Sequence, residues 1–379
     1  MTTLVGRLVD SGRPVRIRLA DSRIESIEEY PGAPEQWVAP GFIDIQVNGF
    51  AGHDVNTADV SADDIRALAQ AEFAVGVTAF CPTIITGSTE RIVHALKAVA
   101  AARAADPLLA HAIPCVHVEG PYIAAEDGPR GAHDKAFLRP PDIAEFRQWQ
   151  EASGNLVGII TLAPELPGSA DYIRAVTETG VVVSIGHSAA TSADIEAAVA
   201  AGARLSTHLG NGSHAVLPRH PNYIWDQLAA DDLSASFIAD GHHLPPAVLT
   251  VMLRAKGIER SILVSDTVAL AGQAPGRYRT PVGGDVELTD DGRLVLPGTA
   301  YLAGATRPLD QCLDRAARHP GVDLADAVRM ASENPARLLG LTGRGAIRPG
   351  ADADLTVFTR NSQGLEIITT VVNGQVVHG

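Results

Sequence analysis

ARLSTHLGNG, residues 203–212, is a short apolar run that ends on His208 and then breaks into Gly and Asn. Three other runs share this design: AIPCVHVEG (112–120) closes on Glu119, VVVSIGHS (181–188) on His187 and SILVSDT (261–267) on Asp266. Each run has the apolar, largely β-branched character of a buried strand. Each polar residue stands where that strand gives way to Gly, Ser or Thr. Parallel strands that all expose polar chemistry at their C-terminal ends are how a (β/α)8 barrel builds a site. One carboxylate, two imidazoles and a spare aspartate match a zinc site with an open position and a general base beside it.

Working outward, strand-like runs at 41–47, 77–81, 112–118, 157–163, 181–186, 203–207, 233–239 and 261–265 alternate with helical patterns. The helices include SADDIRALAQAEFAV, TERIVHALKAVAAARAA, SADIEAAVAAG and PPAVLTVMLRAKG. Ser61 and Ser192 read as N-caps, with acidic residues in the first turn. Eight strands alternating with helices are a barrel's complement. A doubly wound open sheet is the alternative, but no GxGxxG opens the first strand-to-helix turn. Short strands with turns occupy residues 1–38 and recur near the C-terminus, where Asn373–Gly374 signals a hairpin. The expected organisation is a β-sandwich domain from 1–38 and 345–379, with the (β/α)8 barrel, 39–344, inserted between its halves.

Composition fits this reading. The 379 residues are 46% apolar but only 4% aromatic, so the core rests on Ala, Val, Ile and Leu. The net charge of −14 argues against nucleic acid, whose phosphates demand a basic face. An anionic small molecule would need a local cationic anchor. Cys81, Cys115 and Cys312 are an odd count without a CxxC pair, which points to a reduced, cytoplasmic setting. No apolar stretch reaches membrane-spanning length and no signal peptide is visible, so no membrane partner is expected.

PGFIDIQVNG (40–49), HVEGPY (117–122), RGAH (130–133), TLAPE (161–165), GHS (186–188), THLxN (207–211), IADGHH (238–243), SDT (265–267), LAGA (302–305) and NPAR (334–337) occur in this order. Together the chain resembles the N-acetylglucosamine-6-phosphate deacetylase family of the amidohydrolase superfamily. The resemblance covers nearly the whole sequence, including DADLTVF and VNGQVV near its end. It implies one divalent metal, zinc, per subunit on Glu119, His187 and His208, with Asp266 as proton shuttle. Many amidohydrolases carry His-x-His after the first barrel strand. Gln46 and Asn48 stand there instead, as in the resembled family, and weak amide ligands imply a single metal; both are grouped with the substrate-binding residues.

The resemblance further implies that His133 donates to the substrate's amide carbonyl. Asn211 and Gly212 match substrate contacts, His243 a residue near the phosphate or sugar hydroxyls. Arg219, eleven residues after His208, matches a phosphate-binding arginine that reaches into the neighbouring subunit's site, which implies a homodimer. The expected substrate is an N-acetyl amino sugar phosphate.

One departure stands out. The family places an aromatic after THL, followed by Asn-Ala-Met, whereas this chain reads THLGNGSH. Gly210 and Gly212 predict a differently shaped pocket, with His214, His220 and Trp225 as further lining candidates. The same chemistry on N-acetylgalactosamine-6-phosphate, an unphosphorylated N-acyl sugar or an N-acyl amino acid is the rival reading. A non-catalytic barrel kept for assembly is a second rival, disfavoured by the retained ligands and base.

Overall fold

The computed structural model describes residues 2–280, 284–298 and 302–379. Eight strands form the central sheet: β1 (Phe42–Val47), β2 (Val77–Ile85), β3 (Val116–Glu119), β4 (Val157–Leu162), β5 (Val182–Ile185), β6 (Leu205–Ser206), β7 (Ser234–Ile238) and β8 (Ser261–Val264). They pair in parallel and in chain order. The ring closes through a parallel bridge between Val47 and Thr267. The expected (β/α)8 barrel is thus present. Its interior is filled by Ile43, Ile45, Ala79, Cys81, Ile159, Leu205, Ile238, Ile262 and Val264, small and branched side chains that suit a closed barrel. Cys81 and Cys115 lie side by side there as free thiols, with Sγ atoms 3.4 Å apart.

Several boundaries differ from the sequence reading. Ala112 ends a helix, Pro107–Ala112, whose first turn is capped by the Asp106 carboxylate, so β3 begins only at Val116. The β6 ladder is two residues long; Thr207 still donates to Ile185 O at 2.9 Å, and the chain turns at His208, where φ is +30°. Ser61 caps its helix in a reciprocal capping box with Asp64. The second cap falls one residue earlier than expected, on Thr191, which forms the same box with Asp194. Ser192 instead donates to Asp226 at 2.8 Å. A three-stranded sheet, Gly276–Thr280, Gly284–Leu288 and Leu294–Val295, follows β8 and was not anticipated.

Seven strands from the two ends share one sheet. In sheet order they are Gln375–His378, Leu365–Val372, Leu355–Arg360, Trp37–Pro40, Thr2–Leu8, Pro14–Ala20 and Arg23–Glu29. The ends of the chain meet where Leu355–Arg360 runs antiparallel to Trp37–Pro40. This terminal β-sandwich has its own core, including Val15, Ile17, Leu19, Val38, Leu355 and Val371. Asn373 and Gly374 both have positive φ, as a type I′ hairpin requires.

Candidate metal and catalytic centre

Glu119 ends β3, His187 follows β5 by two residues, His208 follows β6 by two and Asp266 follows β8 by two. The backbone at three of these residues is unusual: φ is +51° at His187, +30° at His208 and +52° at Asp266. Left-handed conformations are uncommon in non-glycine residues and gather at functional sites. Here they twist each side chain away from the strand and into the mouth of the barrel.

The donor atoms converge. His208 Nε2 lies 3.1 Å from His187 Nε2 and 3.1 Å from Glu119 Oε1, and His187 Nε2 lies 3.3 Å from the same oxygen. Ligand atoms on a tetrahedral zinc, at ~2.0–2.1 Å, sit about 3.3–3.4 Å from one another. The three atoms therefore have the spacing of a metal's ligands. The tautomer agrees, since His187 Nδ1 lies 2.8 Å from the Pro129 carbonyl, an acceptor only, so Nδ1 carries the proton and Nε2 keeps its lone pair. Burial opposes a charge on Glu119, but the two imidazoles outweigh it and hold the carboxyl well below its usual range. His208 Nδ1 is buried and has no partner within the described residues. These residues fit a divalent cation.

Supporting groups surround the ligands. Gln46 Nε2 donates to Glu119 Oε1 at 3.0 Å and Asn48 Nδ2 to Asp266 Oδ1 at 2.7 Å. Glu165, from the TLAPE segment, accepts from Ser188 and from the Ala189 amide, fixing the turn behind His187. Sequence reasoning missed this role, and also a buried chain beneath the site in which His117, Thr161, Thr207 and Ser184 are linked at 2.5–2.7 Å.

His133 is brought in by the loop after β3, which Tyr122 and Arg139 pin through Glu145. Its Nε2 lies 3.3 Å from His187 Nε2, and its Nδ1 lies 2.8 Å from the Thr86 hydroxyl. Burial, seconded by His187, pushes its pKa down to about 3, so the ring is a neutral donor. Asp266 is moved the other way. Burial and the Glu119 charge push it up to about 6, opposed by His208, His243 and the Asn48 hydrogen bond.

Asp240 orients His243, accepting from its Nδ1 at 2.7 Å and from the backbone amides of residues 242 and 243. Asn211 lies beside the ligands, its side chain donating to the His208 carbonyl at 3.2 Å. Gly212 has φ +53° and lies against His187. The space opened at Gly210 is already taken, since a Cβ there would meet Leu244 and Met252 at 3.0 Å. His214 ties this loop to the preceding one, reaching Glu126 and Tyr223 at 2.9 Å each. Arg219 and His220 are exposed, and the Arg219 guanidinium makes no ion pair among the described residues. Its exposed neighbours include Val216 at 87% and Trp225 at 51%.

The Amidohydrolase family model matches residues 37–377. N-acetylglucosamine-6-phosphate deacetylase of Bos taurus is 38% identical over 90% of this chain and 83% of its own length. N-acetylgalactosamine-6-phosphate deacetylase of Escherichia coli O157:H7 is 32% identical over 95% and 94%. A mutant N-acetyl-D-glucosamine-6-phosphate deacetylase from Mycobacterium smegmatis, solved in complex with N-acetyl-D-glucosamine-6-phosphate, superposes with a TM-score of 0.87 at 28% identity, covering 97% of this chain and 95% of that one. Family model, relatives and barrel geometry converge, and the chain belongs to the N-acetylglucosamine-6-phosphate deacetylases of the amidohydrolase family.

Proposed function

We propose that this enzyme hydrolyses N-acetylglucosamine-6-phosphate to glucosamine-6-phosphate and acetate. The observation that carries the reading is the convergence of Glu119, His187 and His208 on one point at the mouth of the barrel that also bears Asp266. One zinc ion per subunit, held by those three residues, would supply a Lewis acid for the amide carbonyl and depress the pKa of water toward ~7.

The remaining chemistry belongs to side chains. Asp266 takes a proton from the attacking water as the C–O bond forms. His133, neutral and with Nδ1 engaged by Thr86, offers Nε2–H to the developing oxyanion. Asp266 then returns its proton to the nitrogen as the C–N bond breaks, so that an amine and acetate leave. His243, aligned by Asp240, and Asn211 and Gly212 bind the sugar. Arg219 of a second copy binds the phosphate, a bidentate anchor suited to an acidic protein. The assignment to a homodimer rests on that arginine's exposure together with Val216 and Trp225. We place the first domain division after Pro40, because the strand Trp37–Pro40 belongs whole to the terminal sheet, and the second at 344/345. No helix among the described residues is long and apolar enough to cross a membrane, in keeping with a cytoplasmic enzyme.

Acetate release from N-acetylglucosamine-6-phosphate and from N-acetylglucosamine, measured side by side on zinc-loaded protein, tests this. Turnover confined to the phosphate is expected; equal turnover of both sugars would refute the Arg219 anchor. The Escherichia coli relative makes N-acetylgalactosamine-6-phosphate the competing substrate, and it belongs in the same panel.

A further inference from the structure

The barrel's seam lies at the catalytic base. Asp266 N donates to Gln46 O at 2.9 Å, Asn48 N donates to Thr267 O at 2.9 Å, and Val47 bridges Thr267 between them. Within this seam Asn48 Nδ2 donates to Asp266 Oδ1 at 2.7 Å. The amide orientation follows from charge, because the opposite flip would set a carbonyl oxygen against a carboxylate. Asn48 is 6% exposed, and its Oδ1 is buried with no partner among the described residues, so its one side-chain hydrogen bond to the protein there is the one to Asp266.

We propose that Asn48 is the positioning residue of Asp266, acting on the base rather than on the substrate. The carboxylate hangs from a backbone held at φ +52°, beside the barrel seam and within reach of the Asn48 amide. The Asn48 amide engages Oδ1, leaving Oδ2 to face the attacking water. Position matters at this level, since displacing a reacting group by about 1 Å can cost ~100-fold in rate.

The inference rests on Asp266 being the base, so the test includes Asp266→Asn. In Asn48→Ala, and in the near-isosteric, uncharged Asn48→Leu that keeps the bulk but loses the donor, kcat should fall about tenfold to a hundredfold. KM should stay within about twofold and zinc content at one per chain, because neither substrate nor ligands have lost a contact. Circular dichroism and thermal unfolding report whether each variant is folded, and the two variants differ enough that one can stand in for the other. A rise in KM at unchanged kcat would make Asn48 a substrate contact and overturn the proposal. Loss of zinc alongside activity would make it a metal-site residue and overturn it equally. Unchanged kinetics in both variants, with Asp266→Asn inactive, would refute positioning while leaving the base in place. An active Asp266→Asn would instead remove the base assignment itself.

Discussion

Gly212 lies against the imidazole of His187: a Cβ built on it would sit 2.7 Å from Nδ1 and 2.9 Å from Cε1. With φ at +53°, the position is also one that L side chains rarely adopt. The departure Gly212, read in the sequence as a change in pocket shape, therefore also bears on the candidate metal ligand in this chain's loop conformation, although the family carries Ala there. Gly212→Ala should displace the ring and break its bond to Pro129, lowering metal affinity about tenfold to a hundredfold, as loss of a ligand's support does elsewhere. Competition with a fluorescent zinc chelator reads this directly, and an unaltered affinity would show that the loop yields instead.

Asp266→Asn should leave zinc binding near one per chain and reduce kcat by about 10²–10⁴-fold, the usual worth of general acid–base catalysis. Amide and carboxylate share a shape, so packing and the Asn48 contact change little. Steady-state kinetics paired with metal analysis checks both halves.

The acid side of the pH profile follows from the same residue. In the proposed role of base Asp266 must be ionised, and burial with the Glu119 charge raises its pKa from 3.8 to about 6. Activity should therefore be full above that range and fall as pH drops through it. A cation on the ligands favours the ionised form and moves the limb to lower pH, so the limb should lie at or below about 6. The substrate phosphate also titrates near ~6, so kcat at saturation, not kcat/KM, is the informative quantity. A limb well above 7 would contradict the assignment.

Chelation should lower the unfolding temperature. An ion that binds only the folded chain adds roughly 2.7 kcal/mol when its free concentration is a hundredfold above Kd. Scanning with and without a chelator measures it, and His187→Ala should abolish the difference.

The barrel and its four strand-end residues were legible because a parallel strand buried on both faces must be apolar until it reaches the site. The polar interruption therefore marks the end of the strand. What supports those residues was less legible. Thr161, Ser184 and Thr207 lie inside strand-like runs, and nothing local reveals that their hydroxyls join His117 in one buried chain. Gln46 and Asn48 were visible, but their carboxylate partners lie 73 and 218 residues away. Thr191 and Ser192 can both cap a helix, and the sequence reading chose Ser192, one residue past the observed cap. The sheet after β8 did carry a signal, the Asp291–Gly292 turn between Gly284–Leu288 and Leu294–Val295, though its strands are too short to show a clear alternation.

The role assigned to Arg219 has the most demanding test, because its guanidinium finds no ion pair among the described residues. Arg219→Ala should raise KM for the phosphorylated sugar strongly and leave any residual turnover of the unphosphorylated sugar unchanged. Whether the arginine serves its own site or its partner's is decided by mixing. Arg219→Ala and Asp266→Asn chains are each impaired alone. In a mixed dimer, a site whose own chain keeps Asp266 receives an intact arginine from the other subunit if binding is in trans. Activity should then return after the two proteins are unfolded, combined and refolded together. In cis, every site would lack one of the two groups, and the mixture would stay as inactive as its parents. Sedimentation of the mixture confirms that dimers have formed, so failure to regain activity would count against the shared site and not against assembly.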